Sequence, residues 1–108
     1  MVKPVQLRRL AADDIDTALA HYLAEVEPAI AAGFIDALER GIAHIGRHPH
    51  SGSLRFAYEL DIPGLRAWPL TRYPYLIFYV EHESRLDVWR VLHTRRDIPT
   101  ALADNPEE

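Results

Sequence analysis

The stretch Tyr73-Pro74-Tyr75-Leu76-Ile77-Phe78-Tyr79-Val80, followed by Val88-Trp89-Arg90-Val91-Leu92-His93-Thr94-Arg95-Arg96-Asp97, decides the fold. The first block is aromatic and aliphatic throughout, as a strand buried on both faces must be. The second begins in the same way and ends in one imidazole and two guanidiniums. Tyr75 to Val80 is expected to pair with Leu86 to His93 across the charged connection Glu81 to Arg85, with the first strand at the sheet's centre. Such a hairpin delivers a basic cluster to one place on the surface.

Upstream, Pro63-Gly64 is a turn signal, and Leu65 to Thr71 reads as another strand. Pro69 within it has no N–H to donate, which demands an edge position or a bulge. Leu54, Phe56, Tyr58 and Leu60 alternate with Arg55, Ala57 and Glu59, the period-two pattern of a half-buried strand. Before Gly52 the period is helical. Ile30, Phe34, Leu38, Ile42 and Ile45 form one stripe, which Pro49 and Gly52 end and Pro28 opens, because proline is tolerated in a first turn. Ile15, Leu19, Tyr22 and Val26 form a second stripe on a preceding helix starting at Asp13 or just before it, its early acids favourable to the helix dipole. Val2 to Leu10 alternates weakly, through Val5 and Leu7, and is expected to be a first strand. The predicted architecture is α+β, in the order β-α-α-β-β-β(-β), an antiparallel sheet with a helical hairpin packed on one face. Residues 1–108 are expected to form one domain, with residues 100–108 a loose acidic tail.

Composition narrows the function classes. With 108 residues there is room for one core. The chain contains no cysteine, which rules out disulfides and thiolate metal sites. No run of 18 apolar residues and no signal-peptide layout is present, so a cytoplasmic location without a membrane span is expected. Net charge is −4, but its distribution is lopsided. Asp13, Asp14, Asp16, Glu25, Glu27, Asp36 and Glu39 come before any intervening Lys or Arg, whereas Arg66, Arg72, Arg85, Arg90, Arg95 and Arg96 face only Glu81, Glu83 and Asp87. Lys3 is the one lysine among the 12 basic residues. Guanidinium binds carboxylate or phosphate through a planar fork that an ammonium lacks. A GC-rich coding bias explains the arginine excess equally well.

Three phrases in order, Gly64-Leu65-Arg66, Tyr73-Pro74-Tyr75-Leu76-Ile77-Phe78-Tyr79 and Val91-Leu92-His93-Thr94-Arg95-Arg96-Asp97, placed after a helical hairpin, resemble the ParE branch of the RelE/ParE superfamily of toxin–antitoxin toxins. The resemblance spans nearly the whole chain. It implies a bacterial toxin of the type associated with plasmid stabilisation, which poisons DNA gyrase and blocks replication. It also implies capture by a ParD-like antitoxin in a hetero-oligomer, with a disordered antitoxin segment folding across the toxin as a helix in a groove or an added edge strand.

RelE-like relatives instead cut mRNA in the ribosome, which requires a proton acceptor, a proton donor and cations around the phosphate. Arg66, Arg72, His93 and Arg96 are the candidates for that chemistry here, and Glu59 can imitate the carboxylate of a glutamate-and-histidine variant. The set is incomplete against the resemblance, since no lysine follows Lys3 and no tyrosine follows Tyr79. For a gyrase poison the same surface, Arg66, Arg72, His93, Arg95 and Arg96, is the target-binding candidate, meeting gyrase alone or in its complex with DNA. Leu19, Tyr22 and Leu23 opposite Phe56 and Tyr58 are the candidate antitoxin groove, or ordinary core. Arg66 is as well explained by pairing with an acid of the sheet, His93 by a hydrogen bond at the strand end, and Arg95, Arg96 and Asp97 by a strand-end salt bridge and a cap on the following turn. His44, His48 and His50 crowd the end of the second helix, where the dipole favours them. No acid or cysteine lies nearby in sequence, and neither a metal nor a cofactor is expected.

Overall fold

In the computed structural model, which describes residues 2–103, eight elements follow one another. They are β1 (Val5–Leu7), α1 (Arg9–Glu25), α2 (Pro28–Arg47), α3 (Arg55–Leu60), β2 (Leu65–Pro69), β3 (Tyr75–Glu81), β4 (Leu86–His93) and α4 (Ile98–Ala103). The sheet has four strands in the order β1-β4-β3-β2. β2, β3 and β4 form the expected antiparallel run, and Pro69 lies on the outer strand β2, where its missing N–H costs no ladder bond.

Three sequence expectations are corrected. β1 pairs with β4 in parallel, Val5 opposite Leu86 and Leu7 opposite Val88, so the sheet is mixed. A parallel partner cannot be reached through a tight turn, and nearly the whole chain intervenes between the two strands. The segment Leu54–Leu60, expected as a strand, is the short helix α3. Its alternation was coincidental: Ala57 is the buried residue and Tyr58 stands 80% exposed. α3 ends at Asp61 in the left-handed conformation (φ 55°). Finally, α1 begins at Arg9 and not near Asp13, because the Arg8 N–H is held by the Val88 carbonyl (2.9 Å) and the chain turns into the helix directly off the sheet. The early acids therefore lie beyond the first turn.

α1 and α2 cover one face of the sheet. Ala11, Ala18, Phe34, Leu38 and Ile45 pack there against Tyr75, Ile77, Tyr79, Leu86, Val88 and Val91. The opposite face is not open: α3 and α4 cover it, with Ala57, Ile98, Ala101 and Leu102 against Leu65, Ala67, Phe78 and Leu92. Helices therefore lie on both faces, where the expected architecture had them on one. Residues 98–103, most of them assigned by sequence to the loose tail, supply part of this second core; the remainder of that tail, residues 104–108, lies outside the described residues. The sheet separates the two cores, and a bulge in β4 changes which of its residues face each. Phe78 pairs with Arg90 and Tyr79 with Val88, which leaves Trp89 as an extra residue in β4. The parity of β4 flips there, so Leu86, Val88 and Val91 serve the α1–α2 side while Trp89 and Leu92 serve the other.

Tyr79 ties the sheet to the segment after α2. Its fully buried hydroxyl donates to the Pro49 carbonyl (2.8 Å) and accepts from the Gly52 N–H (3.0 Å). Gly52 is required by this approach, since a Cβ would sit 2.7 Å from the Tyr79 hydroxyl and 2.9 Å from the Arg66 Cβ. Burial pushes the Tyr79 hydroxyl above its ordinary pKa.

Candidate binding surfaces

The arginines that look alike in sequence have different surroundings. Arg90 lies in β4 between Trp89 and Val91, 6% exposed. Its Nε and Nη2 donate to the two oxygens of Asp14 on α1 (2.7 and 2.8 Å), and its Nη1 donates to the Ala101 carbonyl of α4 (2.8 Å). Asp14 also accepts from the Val91 N–H (3.0 Å). One guanidinium thus joins α1, β4 and α4. Arg8, equally buried, donates from Nε to Asp87 (3.1 Å) while its guanidinium lies 4.3 Å above the Trp89 ring. In sequence, Arg90 and Asp14 are only members of the basic and acidic stretches, and nothing local pairs them. The available signal was a lone charge inside Val88-Trp89-Arg90-Val91-Leu92, since a buried ion must have a partner.

Of the five target-binding candidates, Arg66 stands apart, while Arg72, His93, Arg95 and Arg96 lie at one end of the sheet, where Tyr75 pairs with His93 and the Thr94 N–H donates to the Pro74 carbonyl (2.9 Å). Arg66, on β2, donates from Nη1 to the His50 and Gly52 carbonyls (3.1 and 2.8 Å) and braces the segment that Tyr79 also holds. Arg72 sits in the turn between β2 and β3 with φ 70°, exposed, and its side chain makes no hydrogen bond or ion pair among the described residues. It borders a cleft of about 460 Å³ shared with Gly33, Arg40, His44, Trp68 and Tyr73. His93 ends β4 on the α1–α2 side, its ring edge-on to Tyr75 with centroids 5.2 Å apart. Its Nδ1 accepts from the Arg95 N–H (3.0 Å), which leaves Nε2 to carry the proton of the neutral ring. Arg95 and Arg96 are exposed in the turn that follows. Arg96 borders a second cleft, about 560 Å³, on the α3–α4 side, together with Arg55, Phe56, Glu59 and Ile98. Glu59 there is paired with Arg55 (3.0 Å). Asp97 accepts from the Thr100 hydroxyl (2.8 Å) and its carbonyl from the Ala101 N–H (3.0 Å), so it caps α4.

The candidate antitoxin groove is likewise divided. Leu19, Tyr22 and Leu23 lie on α1, on one side of the sheet. Phe56 and Tyr58 lie on α3, on the other, where Phe56 packs edge-on against Phe78 (5.2 Å). The cause is the corrected element: as a helix, Leu54–Leu60 crosses to the far face instead of extending the sheet. Tyr22 belongs to an aromatic cluster with Phe34, Tyr73 and Tyr75, and burial beside Tyr75 pushes its hydroxyl up to about 12. Leu23 is 53% exposed, and it stands with Val26 and Ile30 around the junction of α1 and α2.

Of the three histidines near the end of α2, His44 and His48 contact each other while His50 turns to Glu81. His44 stacks on Trp68 (4.3 Å, 11° between planes) and bonds the Ser51 hydroxyl (3.0 Å). His48 meets the His44 ring at 5.1 Å. His50 bonds Glu81 (2.8 Å), whose other oxygen accepts from Lys3 (2.8 Å). That lysine, aided by His50, holds the Glu81 carboxyl below the usual glutamate range.

With this geometry in view, comparison with known proteins is informative. Residues 5–98 match the family described as ParE toxin of type II toxin-antitoxin system, parDE. The chain belongs to that family. Its fold is similar to a chain of the chromosomal ParDE TA system from P. aeruginosa, with a TM-score of 0.70 and 18% identity over 85% of this chain and 96% of that one. A comparison with curated protein sequences finds no match. Among the described residues, no helix is long and apolar enough to cross a membrane.

Proposed function

We propose that this ParE-type toxin acts in the cytoplasm as a single domain that binds DNA gyrase, alone or on DNA, and stalls replication without covalent chemistry of its own. Family membership supports the toxin role. The observation that carries the non-enzymatic reading is that the nuclease candidates do not line one cleft together. Arg66 is spent on backbone carbonyls, Arg72 borders the cleft beside α2, Arg96 borders the cleft on the α3–α4 side, and His93 lines neither. RNA cleavage needs an acid, a base and cations converging on one phosphate within hydrogen-bond reach. A gyrase poison needs only a surface that favours one state of its target. Glu59 and Arg96 do border one cleft, but Glu59 already faces Arg55, and His93 is not there to share a proton with it.

A ParD-like antitoxin would neutralise the toxin in a hetero-oligomer. The exposed apolar group Leu23, Val26 and Ile30 at the α1–α2 junction supports a docking place for its folding segment, since such residues gain most when covered. The test is direct. Purified toxin added to gyrase should inhibit supercoiling or accumulate cleaved DNA, while ribosome-bound mRNA stays intact. Cut mRNA with unaffected gyrase would overturn the proposal.

A further inference from the structure

The cleft at Arg72 combines three features. It holds two exposed guanidiniums, it contains a residue in a costly backbone conformation, and it adjoins the apolar junction. Arg40 and Arg72 border it from α2 and from the β2–β3 turn. Arg72 has φ 70°, a region that disfavours every side chain and that glycine would occupy freely. A large cation kept at such a position, with no partner among the described residues, points to a role for the guanidinium itself. Tyr73 links the cleft to the junction: it borders the cleft, and its hydroxyl donates to the Ile30 carbonyl (2.9 Å).

We infer that this cleft receives a carboxylate-bearing stretch of the antitoxin, whose neighbouring apolar residues cover Leu23, Val26 and Ile30; the inference rests on the toxin–antitoxin reading. A carboxylate is favoured over phosphate by the cleft's own charge. Asp36 already faces Arg40 at 3.4 Å, with the two side chains 66% and 79% exposed. The cleft therefore carries a small positive excess, enough for a singly charged Asp or Glu and poorly suited to a phosphate of higher charge. The chain as a whole is acidic, at −4, which opposes approach to nucleic acid. The order along the surface, apolar junction then paired arginines, fits one amphipathic segment laid along α2.

The probe is the toxin's cognate ParD-like antitoxin, titrated into purified toxin at low and high salt. Arg40→Gln combined with Arg72→Gly should weaken binding at least tenfold and flatten its salt dependence. Thermal melting should show the double variant folded, since glycine relieves the turn. Arg85→Gln, in the β3–β4 connection at the opposite end of β3 from the cleft, should bind within about twofold of the wild type. Unchanged affinity of the cleft variant at low salt overturns the inference while leaving the toxin–antitoxin reading intact. A cleft variant that keeps antitoxin affinity but loses gyrase inhibition or binding to a DNA duplex also overturns it, and reassigns the cleft to the target. Wild-type toxin that fails to bind this antitoxin at all overturns both readings.

Discussion

Arg8 and Arg90 differ from Arg72, Arg95 and Arg96 in everything except residue type. The first two are 6% exposed, each facing a carboxylate of another element, Asp87 for Arg8 and Asp14 for Arg90. The other three are exposed, with no side-chain partner among the described residues. Sequence places Arg90, Arg95 and Arg96 within one short stretch, so a count of charge treats them as one cluster. Burial separates them. The buried pair of Arg90 orders three elements, while the exposed arginines leave their charge free to meet a partner. Net charge along a sequence is therefore a poor measure of a binding surface when the strand that bears it is buried on both faces.

The largest expected effect tests the buried side of this comparison. Asp14→Ala leaves the Arg90 guanidinium without its carboxylate in the interior, and the loss of unfolding free energy should be about 3–5 kcal/mol. Urea denaturation reads this as a lower midpoint at unchanged slope. A loss no larger than that of a surface variant would break the distinction. Asp14 lies far from the arginine in sequence but its carboxylate makes three hydrogen bonds at the node, so the effect should reach α4.

Glu81 offers an intermediate case. Its ion pair with Lys3 leaves both side chains 26% exposed, between the buried and the open arginines. Because Lys3 and His50 depress its pKa, its stabilisation is fully present above the unfolded glutamate range and is lost as pH falls through the lower folded value. Glu81→Gln should remove this part of the acid sensitivity and cost about 0.5–1 kcal/mol at neutral pH. Equal acid profiles for the variant and the parent protein would show that the pair does not contribute.

The smallest effect is expected at the surface. Arg95→Ala with Arg96→Ala should change stability by less than about 0.5 kcal/mol, measured by the same urea titration. A larger loss would mean that these arginines hold structure, and would weaken their standing as target-binding candidates.

How much was legible in the sequence varied with the range of the interaction. The hairpin of β3 and β4, the edge position forced by Pro69, the start of α2 at Pro28 and the cap at Asp97 all depend on neighbours in the chain, and all are found where expected. Arg66 is expected to pair with an acid of the sheet or to touch a target, but its guanidinium donates to backbone carbonyls of the segment after α2. The candidate site fared less well. Its residues were chosen by type and motif, and the clefts at Arg72 and Arg96 are assembled from elements distant in sequence.

Sequence alone determined the helical hairpin and the antiparallel core of the sheet, because periodicity, proline chemistry and turn residues act over a few positions. Only tertiary structure decided that β1 joins β4 in parallel, that Leu54–Leu60 coils into a helix on the far face, and that Arg90 turns inward to Asp14. A short segment with an ambiguous pattern takes the conformation that its packing partners permit, and a charge is a surface feature or a structural one according to what lies across from it.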